Sequence, residues 1–213
     1  MLLRSKLLLA LLVSGLALAA PRAEAVPTLD DFEAFTFTAI CTDLTSPCPT
    51  SQAGIPTTNV LSGTRNSIVT QDASLSVAGG ELDFNSSDAD ADFGVTYVFS
   101  STIDLTVIGD RFLFDVLEAT DVDNAIGIAI VDGSMLTRTA SFMPVLGANE
   151  ILFSAFTGSG SLLDVKEIAF GLSNDAAHLR LATVLVPEPT TAGMLLLGLA
   201  GLARAGRREN RSA

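Results

Sequence analysis

Through the middle of this chain, apolar side chains recur at every second residue. Val95, Tyr97 and Phe99 alternate with Thr96 and Val98; Phe112, Phe114 and Val116 keep the same spacing, as do Ile126, Ile128 and Ile130. Leu82 with Phe84 and Ile151 with Phe153 repeat it over shorter runs. A period of two puts the apolar set on one face of an extended strand and the polar set on the other. Turn-forming residues punctuate the runs at Gly79-Gly80, Gly109-Asp110, Asp132-Gly133, Gly147-Ala148-Asn149 and Gly158-Ser159-Gly160. No stretch sustains a 3.6-residue apolar stripe between capping signals, and no solenoid-length repeat occurs. Short strands with turns at such intervals predict an all-β domain, an antiparallel β-sandwich or jelly roll.

The two ends do not follow this pattern, and they resolve a conflict in composition. The 213 residues carry a formal charge of -12, yet 48% are hydrophobic and the mean hydropathy is +0.47. Residues 1–25 read as a secretory signal helix: Arg4 and Lys6 precede an apolar run from Leu7 to Ala20, and Ala23-Glu24-Ala25 offers a small-residue cleavage site. That run is shorter than the roughly 20 residues a bilayer span needs. At the other end, Val186-Pro187-Glu188-Pro189 leads into an apolar segment from Ala192 to Ala203, closed by Arg204, Arg207 and Arg208. The prolines stop the preceding strand and keep the backbone extended, open to another protein's cleft. The positive-inside tendency holds the arginines in the cytoplasm and puts Pro187 to Pro189 on the outer face. The segment between them is a short transmembrane helix.

This tail resembles the PEP-CTERM sorting signal: Pro-Glu-Pro, an apolar helix, then an Arg-rich end. The resemblance implies a substrate of exosortase, a transpeptidase-like membrane enzyme of exopolysaccharide-producing Gram-negative bacteria. It assigns Pro187, Glu188 and Pro189 as the recognition motif and Arg204, Arg207 and Arg208 as the cytoplasmic retention cap. The helix is shorter than a stable anchor requires, which fits transient holding in the inner membrane. The chain thus divides into a signal peptide (1–25), an extracellular β-sandwich domain (26–185) and a sorting signal (186–213).

The terminal segments hold seven of the 12 bases and only three of the 24 acids, so residues 26–185 carry a formal charge of -16. Nucleic acid is excluded as a partner, since its phosphates would be repelled. Cations and an extracellular matrix suit such a domain. Several stretches resemble galactose-binding-like jelly rolls: Val107 to Leu117, Ile126 to Asp132, Phe153 to Gly158, and Val165 to Gly171. That resemblance implies a fold common among carbohydrate-binding modules.

Candidate chemistry is sparse. Asp88, Asp90 and Asp92 form the densest acidic cluster, and Asp121 with Asp123 form a second. Alternating carboxylates in a turn suit Ca²⁺, although Phe93 and Phe99 occupy positions where an EF-hand loop needs Gly and Glu. Cys41 and Cys48, in an exported chain with two cysteines, predict a local disulfide. The lone His178 excludes His-based zinc patterns, and no G-x-S-x-G elbow accompanies it. With no Trp and one Tyr, the aromatic platforms that sugars stack on are scarce, and the twelve Phe fall in strand alternation as core.

These features point to a non-enzymatic protein exported by Sec, processed by exosortase and delivered to the cell surface or the exopolysaccharide matrix of a biofilm. One alternative is a Ca²⁺-assisted carbohydrate-binding module. Another is a secreted hydrolase using paired carboxylates, which requires a pair with perturbed pKa values in a cleft.

Overall fold

The computed structural model describes residues 28–33, 36–42, 47–53, 63–70, 72–173 and 176–187. The signal segment, Glu188, Pro189, the apolar tail and its arginines lie outside the described residues. The strands run β1 (Thr28–Asp30), β2 (Phe37–Cys41), β3 (Cys48–Ala53), β4 (Gly63–Val69), β5 (Ala73–Ala78), β6 (Glu81–Ser86) and β7 (Phe93–Ile103). A one-turn helix, α1 (Leu105–Ile108), leads to β8 (Arg111–Thr120), β9 (Ile126–Asp132), β10 (Thr137–Phe142) and β11 (Gly147–Leu152). A 3-10 turn (Phe153–Ala155) precedes β12 (Thr157–Gly158), β13 (Val165–Leu172) and β14 (His178–Leu185).

These strands build a sandwich of two seven-stranded sheets with antiparallel neighbours throughout, the architecture that the alternation predicts. The first sheet runs β11-β8-β14-β6-β5-β2, with β1 also paired to β14; the second runs β12-β10-β9-β13-β7-β4-β3. Burial follows the period of two: in β7, Phe93, Val95, Tyr97 and Phe99 are buried while Gly94, Thr96 and Val98 face outward. Phe112, Phe114 and Val116 of β8 oppose them from the first sheet, and Phe114 meets Phe170 edge-on at a centroid distance of 5.4 Å. At roughly 25 cal/mol per Å², such interleaved Phe, Ile and Leu supply the dominant favourable term.

Most of the anticipated turns are turns. Gly79 and Gly80 sit at φ +62° and +82° between Ala78 and Glu81, the left-handed pair that a two-residue hairpin demands. The 147–149 stretch differs. β11 already begins at Gly147, and the reversal before it is held by the Asn149 side chain, whose Nδ2 donates to the carbonyls of Val145 (2.7 Å) and Gly147 (2.8 Å).

Among the described residues, two fasteners cross between the sheets. Asp30, on β1 of the first sheet, accepts from Arg65 Nη1 of β4 at 2.5 Å and from the Tyr97 hydroxyl of β7 at 2.7 Å. A bond between Cys41 and Cys48, with Cα atoms 5.6 Å apart, joins edge strand β2 to edge strand β3 of the other sheet.

The topology also sorts the ends. Thr28 pairs with Leu185, so the chain enters and leaves the domain side by side. Around them lie α1, the β9–β10 turn and the 159–164 loop, because Val165 pairs with both Asp132 and Ile103. The disulfide and the two acidic stretches occupy the opposite end. Among the described residues no helix is long and apolar enough to cross a membrane.

Candidate functional site

The outer face of the second sheet carries an open trough of about 360 Å³. Its floor follows from register. Gly171 of β13 pairs with Gly94 of β7 on one side and Gly127 of β9 on the other, so three glycines form a row across three strands. One step along, Ala169 lies beside Thr96 and Ala129, and Ala129 beside Thr139. The floor is thus Gly and Ala, with Thr139 and Ser173 on the rim. Phe93 and Phe170 contribute to the lining, but their rings are buried and packed against Phe84 and Phe114 in the core. The lining holds no titratable side chain and no exposed aromatic face. Such a surface can seat an extended chain by hydroxyl and backbone contacts, and it lacks a group to transfer a proton.

On the outer face of the first sheet, His178 lies between two carboxylates. Its Nε2 is 3.1 Å from Asp83 Oδ1 and its Nδ1 is 3.1 Å from Glu118 Oε1. Arg180, two residues along β14, pairs with Glu81 and lies 3.5 Å from Glu118 Oε2. The hydrogen bond from Arg180 to Glu81 is the main cause that raises the guanidinium pKa above its usual value. Both ring nitrogens thus face carboxylates, and the ring sits within a surface network of charged side chains.

The acidic stretches lie at one end of the sandwich, since His178 pairs with Asn85 on one side and with Thr120 on the other. The 86–92 stretch is held by bonds within the loop and one to the β4–β5 connection. Asp88 Oδ1 accepts from the Asp90 amide at 2.9 Å, Ser86 Oγ accepts from the Asp88 amide at 3.0 Å, and the Asp92 amide donates to Thr70 Oγ1 at 2.9 Å. Among the described residues no three His, Cys, Asp or Glu side chains are placed to hold a metal ion. Asp88, Asp90 and Asp92 lie on the loop between β6 and β7, and Asp121 with Asp123 on the loop between β8 and β9.

Among the described residues, two carboxylates are held below the ordinary range. The hydrogen bond from Arg111 holds Asp110 below the usual carboxylate range. Asp132 is also held low, first by the amide of Leu136, then by those of Ser161 and Ser134, all within 2.9 Å. A general acid needs the opposite shift. Asp132 instead organises the β9–β10 turn and ties it to the loop before β13.

Sequence reasoning missed the buried cluster of Asp30, Arg65 and Tyr97. Burial, then Asp30, pushes the Tyr97 phenol well above its ordinary value, and the Arg65 guanidinium lies 6.0 Å from the Phe32 ring centre and 5.9 Å from that of Phe37. A basic residue in phase with Ser67 and Val69 on an alternating strand was the available signal.

The sorting tail begins where the core ends. Leu185 closes β14, Val186 is fully buried, and Pro187 lies so near Gly109 that a Cβ there would come within 2.4 Å of the Pro187 carbonyl oxygen. Glu188, Pro189 and the Arg cap follow outside the described residues.

Residues 185–211 match the PEP-CTERM protein-sorting motif. No curated protein sequence matches the chain. Among solved structures, the chain is similar to the family 11 carbohydrate-binding module of a cellulosomal cellulase of Clostridium thermocellum, at 15% identity and a TM-score of 0.42, covering 79% of this chain and 98% of that one. The same module bound to a β-1,3-1,4-mixed-linked tetrasaccharide gives 16% identity and a TM-score of 0.43, over 79% and 99% of the two chains. A family 29 carbohydrate-binding module complexed with mannohexaose gives 9% and 0.37, over 74% and 95%.

Proposed function

We propose that this chain is an exported, non-enzymatic protein that Sec delivers across the inner membrane and exosortase processes at its tail. Its destination is the cell surface or the surrounding exopolysaccharide and biofilm matrix. The observation that carries this reading is the sorting motif at 185–211, which starts on the last residue of β14. Replacing Pro187-Glu188-Pro189 by three alanines tests the sorting role. The variant is expected to remain full length in the membrane fraction; unchanged processing and surface delivery would refute the assignment.

A second reading is favoured by the trough itself: the sandwich binds an extended polysaccharide there. Its small-residue floor leaves the backbone accessible, and Thr139 and Ser173 supply hydroxyl groups at the rim. Calorimetry against neutral and acidic polysaccharides, with and without Ca²⁺, tests this reading and the calcium expectation together. No heat and no thermal shift, with or without Ca²⁺, sinks this reading.

A further inference from the structure

We infer that the end of the sandwich from which the tail emerges rests directly on the lipid surface, so that the folded domain docks flat on the bilayer before processing. The inference rests on reading the tail as a membrane anchor.

Its first support is reach. Pro187 is packed against Gly109, and the apolar segment begins at Ala192. Five residues span at most about 18 Å when fully extended, which holds this end of the domain within that distance of the apolar segment. β1 begins beside Leu185, so the N-terminal segment also leaves from this end.

The second support is what this end displays. Val107 of α1 is 75% exposed, Met135 of the β9–β10 turn 67% and Leu163 of the following loop 64%. Leu136 and Leu152 are exposed beside them. Backbone hydrogen bonds gather these segments: Leu105 to Leu162, Gly133 to Asp164, and Phe153 to Asp110. Exposed apolar side chains on adjoining loops are what an interfacial lipid contact requires.

Charge bears on the kind of lipid, because this end carries more acids than bases. Asp104 accepts from the Thr106 amide and hydroxyl, Asp110 and Glu150 pair with Arg111, and Asp132 accepts three amides. Asp164 lies over Gly133 and is exposed. Acids at this end favour a zwitterionic over an anionic surface. The β10–β11 loop, with Met143, Val145 and Leu146 exposed at the opposite end, has no tail beside it and serves as an internal control.

The test uses the full chain reconstituted into phosphatidylcholine vesicles that contain a photoactivatable lipid, with crosslinks mapped by peptide. Labelling is expected in 105–108, 133–136 and 161–164 as well as in the tail, and at least tenfold less in 143–146. The double variant Val107→Asp/Leu163→Asp should lose most of the domain labelling while still sedimenting with the vesicles. Its unfolding midpoint should stay unchanged, because both side chains are exposed. Sedimentation with label confined to the tail, or equal label at both ends, overturns the docking and leaves the anchor reading intact. Failure of the chain to sediment overturns both.

Discussion

Arg65 and Asp30 form an ion pair of 2.5 Å between the two sheets, with both side chains fully buried. The carboxylate also accepts from the Tyr97 hydroxyl and, at 2.8 Å, from the Phe32 amide. Taking one partner away leaves an uncompensated charge in the core, whereas replacing the whole cluster with apolar groups does not. Arg65→Met should therefore lower stability by about 3–5 kcal/mol. The triple variant Arg65→Met/Asp30→Leu/Tyr97→Phe should be more stable than that single variant. Urea midpoints compare the three proteins, and a triple variant weaker than the single would show that the cluster acts otherwise.

The same cluster gives the domain an alkaline limit. Burial, then Asp30, raises the Tyr97 phenol well above its ordinary value of 10.0. Above that pH the unfolded chain releases a proton that the folded chain retains. Stability from this group is thus fully present below pH 10 and is lost as the pH climbs further. Tyr97→Phe should show a smaller loss of stability across the alkaline range than the parent. With one Tyr and no Trp in the chain, phenolate absorbance during alkaline titration reports this residue alone. Titration at the ordinary value would contradict the burial argument.

Asp132 sets the acid limit in the opposite sense. Its folded-state pKa lies below the usual 3.8 because it accepts the amides of Leu136, Ser161 and Ser134. The unfolded state takes up a proton first as the pH falls, so this stabilisation is present at neutral pH and disappears as the pH drops through the depressed value. Asp132→Ala should be less stable than the parent at pH 7, with a gap that narrows below pH 4. Thermal unfolding across that range checks it; a constant gap would mean that the carboxylate charge is irrelevant.

The bond between Cys41 and Cys48 closes a short loop yet ties the edge of one sheet to the edge of the other. The chain-entropy argument assigns such a ring about 2–3 kcal/mol. Cys41→Ala/Cys48→Ala should lower stability by that amount, and reductant should destabilise the parent but not the variant. Equal responses to reductant would mean that the bond is not formed in solution.

What the sequence made legible is what repeats locally. The alternation in residues 93–99, 112–116 and 126–130 specifies which side chains face the core, and Gly79-Gly80 marks its hairpin by chemistry alone. The tail is legible because Pro-Glu-Pro, an apolar run and arginines are consecutive. The trough is not legible: Gly94, Gly127 and Gly171 are separated by dozens of residues and become a row only through strand register. Arg65 shares the inward phase of Ser67 and Val69, but its partner Asp30 is supplied by β1 of the other sheet, 35 residues earlier.

That register-made row allows the binding reading to be tested without unfolding the domain. A Cβ built on Gly127 meets only the Gly171 carbonyl oxygen, at 4.0 Å, whereas one on Gly171 would come within 2.3 Å of the Phe93 carbonyl oxygen. Gly127→Trp should therefore fold normally and place an indole in the trough, where its size fills much of the roughly 360 Å³. Gly171→Ala should destabilise the second sheet instead, because neither backbone can yield. If the trough seats a polysaccharide, Gly127→Trp loses at least tenfold in affinity at an unchanged unfolding midpoint. Undiminished binding by Gly127→Trp would move the site elsewhere on the sandwich, and the uncharged floor between β7 and β9 would then be only a consequence of close strand packing.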